Sequence, residues 1–500
     1  MRLHPDEVFE VRHYSMRGRT GRLRTKRGYL DTPALLPVID IDKQPVPAGD
    51  IQKLGFRAVI TNSYLLLQRG YSTADVHELL GFQNTVMTDS GAYQLLEFGR
   101  IRSSQTEIVR FQEDLNVDIG VMLDTPTGAT ASWETALKTV ELTTSNAASS
   151  IAERAREDVL WVGPVQGGRF LDLIRKSALE MSSLPFHIHA LGSPTLFLTN
   201  YDYTTIFDMI QTAKQQLPPA RPLHLFGAGH PSILPFFVAL GVDLFDSASY
   251  ALFARRGKYM TPRRSIELSR LEDFPCACEV CRKYNPREVR RAEHGEREYF
   301  LAKHNLAALA AEVSATRNAI AHDTLWDLLL SRRYSHPALF QAFEWFRRRR
   351  TYFSKYVSAT GVRAQSIFYY NEDRPETIAF RERIFNYLAL EKNPNLVILT
   401  IKEKPYSSSK LVQAAVKADL GRVVVNDDTY GLVPIELDQM FPILQTERVK
   451  GIKPGIRRLI RGIERLQPTK IIIVENQYLW QELKRHGYRA KHVSATSLQH

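Results

Sequence analysis

The sequence predicts an α/β chain: a (β/α)8 TIM barrel with a zinc-binding subdomain, followed by a smaller α/β accessory domain. Three observations predict it. Over the first 250 residues, short apolar runs rich in branched side chains alternate with longer amphipathic stretches. Polar residues and glycines follow each apolar run directly. All three cysteines of the 500-residue chain crowd together, at Cys276, Cys278 and Cys281.

The runs that read as strands are Ala34–Ile39, Ala58–Thr61, Thr85–Thr88, Asp118–Leu123, Leu160–Val165, Phe186–Leu191, Leu223–Phe226 and Val242–Phe245. Helical patterning lies between several of them, at Gln105–Leu115, Ser132–Arg156, Phe170–Ser182 and Tyr203–Gln216. Eight such units fit a barrel; a doubly wound open sheet is the alternative, and periodicity alone does not separate the two. The strand-following segments include Thr88-Asp89-Ser90-Gly91, Asp124-Thr125-Pro126, Gln166-Gly167-Gly168, Gly192-Ser193 and Asp246-Ser247. In a barrel these positions converge on one face, where active sites sit. One carboxylate there is ordinarily a helix cap. Three of them, Asp89, Asp124 and Asp246, point to a shared site.

Residues 265–360 read as helical and charged. Ser331–Gln365 carries eight basic residues and one acid, with Arg347-Arg348-Arg349-Arg350 at its centre. Tyr334, Phe340, Phe343, Trp345, Phe346, Tyr352, Phe353 and Tyr356 interleave with them. A solvated basic face over an aromatic core stripe accounts for most of these rings, and the arginines suit phosphates. From about residue 366 the pattern changes to strands at Leu396–Thr400, Val423–Val425 and Ile471–Val474, with helices at Ser408–Ala418 and Ile456–Leu466. Lys450, Lys453, Arg457, Arg458, Arg461 and Arg465 form a second basic stretch. The resulting division is a barrel over 1–265, a zinc-binding, helical and basic subdomain over 266–365, and an accessory domain over 366–500.

A net charge of +12 and a pI near 9.4 favour a polyanionic partner, nucleic acid before membrane. No run of eighteen apolar residues occurs, and Met1–Thr20 lacks the apolar segment of a signal peptide. The expected location is the cytoplasm. The cysteine cluster is too tight and too odd in number for a disulfide framework. Cys276-x-Cys278-x-x-Cys281, followed by His304, supplies three thiolates and an imidazole, a closed tetrahedral set for one structural zinc. His294 is the weaker candidate for the fourth ligand.

Six collinear segments then carry a resemblance. They are Ile60-Thr61-Asn62-Ser63-Tyr64, Met87-Thr88-Asp89-Ser90-Gly91-Ala92-Tyr93-Gln94, Asp118-Ile119-Gly120 with Leu123-Asp124, Val165-Gln166-Gly167-Gly168, His224-Leu225-Phe226-Gly227-Ala228-Gly229-His230-Pro231, and Asp243-Leu244-Phe245-Asp246-Ser247-Ala248-Ser249-Tyr250-Ala251-Leu252. With the cysteine motif they resemble the archaeal-type tRNA-guanine transglycosylases, closely over residues 8–310 and loosely beyond.

The resemblance implies a pentosyltransferase that exchanges guanine, at position 15 of the tRNA D-arm, for 7-cyano-7-deazaguanine in archaeosine biosynthesis. It implies that Asp246 is the nucleophile of a covalent aspartyl-ribose intermediate and Asp89 the general acid/base, the logic of a retaining glycosidase. The residues alone leave those two roles interchangeable. It further implies that Asp124 and Gln166 read the Watson–Crick edge of the base, that Tyr93 stacks on it and that backbone near Gly192 approaches it. Ser90 and Gly167 belong to the same substrate-binding motifs.

Family members often form homodimers, so a homodimer is expected here. Many also end in an RNA-binding PUA module. Residues 366–500 show no clear match to it, and Val433-Pro434-Ile435-Glu436-Leu437 looks like the accessory domain that precedes it; a separate PUA-domain protein is therefore an expected partner. Two rivals stay open. One is base exchange in DNA or another RNA. The other is a non-catalytic or downstream RNA-binding paralogue, which the presence of both Asp89 and Asp246 disfavours.

Overall fold

The computed structural model describes residues 4–71, 75–94, 103–358, 368–369, 374–388, 395–444, 446–447 and 456–498. They fall into two compact units, Met1–Trp345 and Phe346–His500. The first opens with a feature absent from the expectations above, an antiparallel sheet of β1 (Phe9–Ser15), β2 (Gly18–Thr25) and β3 (Gly28–Thr32).

The eight expected strands follow: β4 (Ala34–Pro37), β5 (Ala58–Asn62), β6 (Thr85–Asp89), β7 (Ile119–Val121), β8 (Leu160–Val165), β9 (Ile188–Leu191), β10 (Leu223–Leu225) and β11 (Leu244–Ser247). They form one parallel sheet in the order β4-β11-β10-β9-β8-β7-β6-β5. A parallel bridge between Val38 and Ile60, with the Ile39 N–H donating to the Ile60 carbonyl at 2.8 Å, joins the two ends. The sheet is thus a closed barrel, and the open-sheet alternative falls. Leu36, Ala58, Ile60, Met87, Ile119, Val121, Leu160, Val162, Ile188, Ala190 and Leu244 fill its interior, one alternate face of every strand but β10.

The same core includes Phe9, Leu23 and Leu30 of the small sheet, which therefore plugs one end of the barrel. Its polar contacts identify that end. Arg19 makes a two-pronged ion pair with Asp243 at 2.8 and 2.9 Å, and Thr25 meets Thr85 at 3.1 Å. Asp243 and Thr85 stand at strand beginnings, so the plug closes the N-terminal end and leaves the C-terminal end for chemistry.

Beyond the barrel, β12 (Lys258–Met260) and β13 (Ser265–Glu267) form a hairpin. Short helices Glu279–Lys283 and Pro286–Arg291 lead into the 28-residue helix His294–Ala321. A capping box of Asn285 and Glu288 starts the second of these. Helices Leu325–Arg332 and Pro337–Arg348 follow. Of the interleaved rings, Phe343, Trp345, Phe346 and Phe353 are buried, whereas Tyr334, Phe340 and Tyr356 are exposed.

In the second unit, β14 (Phe368–Tyr369) pairs in parallel with β18 (Thr446–Glu447). The main sheet holds β15 (Asn395–Leu399), β16 (Arg422–Asp427), β17 (Gly431–Pro434), β19 (Lys470–Val474) and β20 (Ala490–Val493), ordered β17-β16-β15-β19-β20. Only β17 runs antiparallel to its neighbour. Apolar β15, β16 and β19 are the three strands expected; β17 and β20 are additional. Lys450, Lys453 and the stretch 359–365 lie outside the described residues, as do the side chains of Arg457 and Arg458. Among the described residues no helix is long and apolar enough to cross a membrane.

Candidate active site and metal cluster

Asp89 is the last residue of β6, and Asp246 lies within β11 rather than after it, because β11 continues in register with β4 as far as Ser247 and Pro37. Strand alternation places Met87 and Leu244 in the barrel interior, so Asp89 and Asp246, two residues on, share that face at its C-terminal rim. Asp89 accepts the Gly91 N–H at 2.8 Å, and its carbonyl accepts from the Ser63 hydroxyl at 2.6 Å. Burial pushes its carboxyl up to about 7; the Gly91 bond opposes the rise, and the charges of Asp246 and Asp124 add to it. Asp246 and Asp124 are thus both near enough to Asp89 for their charges to be felt there.

Asp246 is buried and receives two bonds on one oxygen. The Gly227 N–H donates to Oδ1 at 3.0 Å, and His224 Nε2 lies 2.8 Å from the same atom. A carboxylate accepts only, so Nε2 carries the hydrogen. His224 is fully buried, and its Nδ1 meets no partner among the described residues. Among the described residues no hydrogen bond reaches the second oxygen of Asp246. His224 stands in one of the resembling segments, and the resemblance assigns it no role. The signal was a polar side chain at the centre of an apolar strand, in phase with Phe226 and the interior face.

Asp124 and Gln166 form a pair: the Gln166 amide donates to Asp124 Oδ2 at 2.5 Å. The other end of Gln166 accepts from the Thr127 N–H and the Ser193 hydroxyl, both at 3.1 Å. Burial pushes Asp124 up to about 6, opposed by the Gln166 bond. Gly192 explains itself here, since a Cβ at that position would lie 2.2 Å from the Gln166 amide nitrogen. Ser193, next in the chain, adopts a left-handed φ of 61° to aim its hydroxyl at Gln166. Gly167 donates its N–H to the Thr127 hydroxyl at 3.2 Å. Ser90 is buried beside Asp89, while Tyr93 stands 48% exposed at the rim, its ring available to a flat ligand. The structure therefore gathers the carboxylates, on strand ends and the loop after β7, with Gln166, Gly167, Gly192, Ser90 and Tyr93 at one barrel face.

Apart from that face, Cys276, Cys278, Cys281 and His304 come together with their ligand atoms within 4.8 Å of one another. His304 Nδ1 lies 3.4 Å from Cys281 Sγ and 3.6 Å from Cys278 Sγ. Tetrahedral zinc with bonds of about 2.0–2.3 Å sets ligand atoms about 3.5–3.8 Å apart, so the donor set fits a metal ion. His304 Nε2 donates to the Met260 carbonyl at 2.8 Å, which turns the Nδ1 lone pair toward the sulfurs. Tyr259 stacks on the imidazole at 3.6 Å. None of the cysteines is in a disulfide. The cluster clips the post-barrel loop to helix His294–Ala321; His294, at the start of that helix, is not among the four.

A plugged, closed barrel with three carboxylates at its C-terminal rim, followed in the chain by a Cys3His cluster, defines a (β/α)8 enzyme. Comparison makes the family specific. The family model described as queuine tRNA-ribosyltransferase matches residues 15–338. A protein of Saccharolobus solfataricus named tRNA-guanine(15) transglycosylase is 38% identical over 453 residues, covering 88% of this chain and 90% of that one. Proteins of the same name from Aeropyrum pernix and Methanothermobacter thermautotrophicus are 44% identical over 335 residues (66% and 65% covered) and 35% identical over 485 (93% and 72%). The chain belongs to the queuine tRNA-ribosyltransferase family, a family of transglycosylases, and within it is similar to archaeal members.

Proposed function

We propose that this chain exchanges guanine at position 15 of tRNA for 7-cyano-7-deazaguanine, a step of archaeosine formation. The observation that carries the reading is the convergence of Asp89, Asp124 and Asp246 on one barrel rim, with three unlike environments. Asp246, whose one oxygen is held by two N–H donors, attacks C1′ of the ribose. The C1′–N9 bond breaks, its electron pair goes to guanine, and the leaving base takes a proton from Asp89. The incoming base returns a proton to Asp89 and attacks C1′, which releases Asp246. A carboxyl near pKa 7 suits that proton traffic at neutral pH.

Asp124 accepts from the ring N–H and amine of a guanine-like base, Gln166 faces its carbonyl edge, and Tyr93 covers a ring face. Ser90, Gly167 and Gly192 shape the same pocket. Zinc, one per chain, fits the Cys276, Cys278, Cys281 and His304 set as a structural ion. The accessory region 366–500 is read as tRNA-contacting, and the working assembly as a cytoplasmic homodimer.

Radiolabelled guanine and a tRNA transcript test the reading, with duplex DNA as the competing acceptor and a PUA-domain protein added in one arm. Wild type should incorporate label into tRNA alone. Asp246→Ala and Asp89→Ala should each lose at least about 10³-fold in rate, the scale of a missing nucleophile or acid. Label in DNA, or none anywhere with PUA protein present, would overturn the assignment. The rank order of the two variants does not decide the roles; trapping a tRNA–protein adduct that Asp246→Ala cannot form does.

A further inference from the structure

The helix Thr195–Thr199, in the loop that follows β9, ends in an unusual way. The Asp202 N–H donates to the Phe197 carbonyl at 2.9 Å and the Tyr201 N–H to the Leu198 carbonyl at 3.1 Å. This is the Schellman arrangement, whose left-handed position ordinarily belongs to glycine. Tyr201 occupies it, at φ 59°. A bulky residue there costs stability, so something other than folding accounts for its ring. That ring is 54% exposed and stacks on the exposed imidazole of His336, with centroids 4.8 Å apart and planes 24° apart.

The surroundings are aromatic and basic. Tyr334 is 75% exposed, and the Arg333 guanidinium lies over its ring at 4.3 Å. Arg263 and Arg264 are exposed in the β12–β13 turn, the two residues before Ser265, whose hydroxyl holds His230 at 2.9 Å. That bond ties the β12–β13 turn to the loop after β10. The same loop supplies the Gly227 N–H to Asp246, and Thr195 packs against Gly227. The helix that precedes Tyr201 and the turn that carries Arg263 and Arg264 therefore both touch the loop that holds Asp246.

We propose that Tyr201 and His336 form a stacking platform for an unpaired tRNA nucleotide next to the one exchanged, with Arg263, Arg264 and Arg333 drawing in its phosphates. The inference rests on the tRNA reading above. Exposed ring faces take any base, and arginines complement the backbone, which is how single-stranded nucleic acid is held without sequence readout. A base taken out of its stack for chemistry leaves neighbours that need a new partner, and the platform offers one beside the rim.

The test uses the full-length chain and a tRNA transcript carrying 2-aminopurine beside the exchanged position. Wild type should quench the probe on binding. Tyr201→Ala and His336→Ala should restore its fluorescence and raise both Kd and KM for tRNA about tenfold, with a smaller change in kcat. Tyr201→Phe, which keeps the ring, should recover the affinity. Tyr201→Gly separates fold from function: it should raise the thermal midpoint by about 2 °C and still weaken binding. Unchanged quenching and affinity in Tyr201→Ala overturn the platform. So does a shift of oligomeric state in that variant by sedimentation, which gives the face to a second copy of the chain. Wild type that binds tRNA without exchanging guanine sinks the functional reading alone, because the platform is still scored by affinity and quenching.

Discussion

Asp89 and Asp124 are ordinary aspartates until the barrel surrounds them. Folding raises Asp89 from near 3.8 to about 7, with burial the largest cause. Between those values the folded state holds a proton that the unfolded chain has released. Stability therefore falls as pH rises through that window, and the loss is complete above it. Asp89→Asn removes the penalty. It should be more stable than wild type at pH 8, by on the order of 2 kcal/mol once solvent at the rim is allowed for and with a correspondingly higher thermal midpoint, and match it at pH 4. Calorimetry at the two pH values checks this, and equal midpoints at pH 8 would mean that Asp89 is well hydrated. The carboxylates were legible because acids that directly follow apolar runs stand out. His224 was not, since nothing in Leu223-His224-Leu225 says that its imidazole faces Asp246 rather than the helices outside.

Among the elements, the barrel strands were legible because both of their faces are buried, which writes continuous branched apolar runs. The plug was not. Phe9, Leu23 and Leu30, with Val8 and Val11, carry its core contacts, while Arg22, Arg24 and Tyr29 face solvent, and so few apolar positions make no clear period. The plug's hold on the barrel also runs through a buried ion pair. Arg19→Ala leaves Asp243 buried without its partner and should cost about 3–5 kcal/mol in urea denaturation. Arg22→Ala, from the exposed pair with Asp31, should cost under about 1 kcal/mol. Equal effects of the two would show that the plug contributes nothing beyond local strand pairing. In the second unit, β20 escaped notice for a kindred reason: Lys491 and His492 are exposed on it, as edge strands commonly arrange.

At the scale of the whole chain, the metal cluster belongs to one unit and the five-stranded sheet to the other. Removing the metal with a chelator should lower the melting transition of Met1–Trp345 by several degrees and leave that of Phe346–His500 in place, as two calorimetric peaks would show. Movement of both peaks together would make the chain one cooperative body. The plug described earlier has a consequence for how the molecule is born. Arg19 leaves the ribosome 224 residues ahead of Asp243, its partner. The first strands must wait with Phe9 and Leu23 uncovered while seven barrel strands are synthesised, because the socket that receives them is completed only by the eighth. Synthesis at about 5–20 residues per second makes that wait on the order of ten seconds or more. The stopper is manufactured before the bottle, and through that interval its apolar face is open to misassembly.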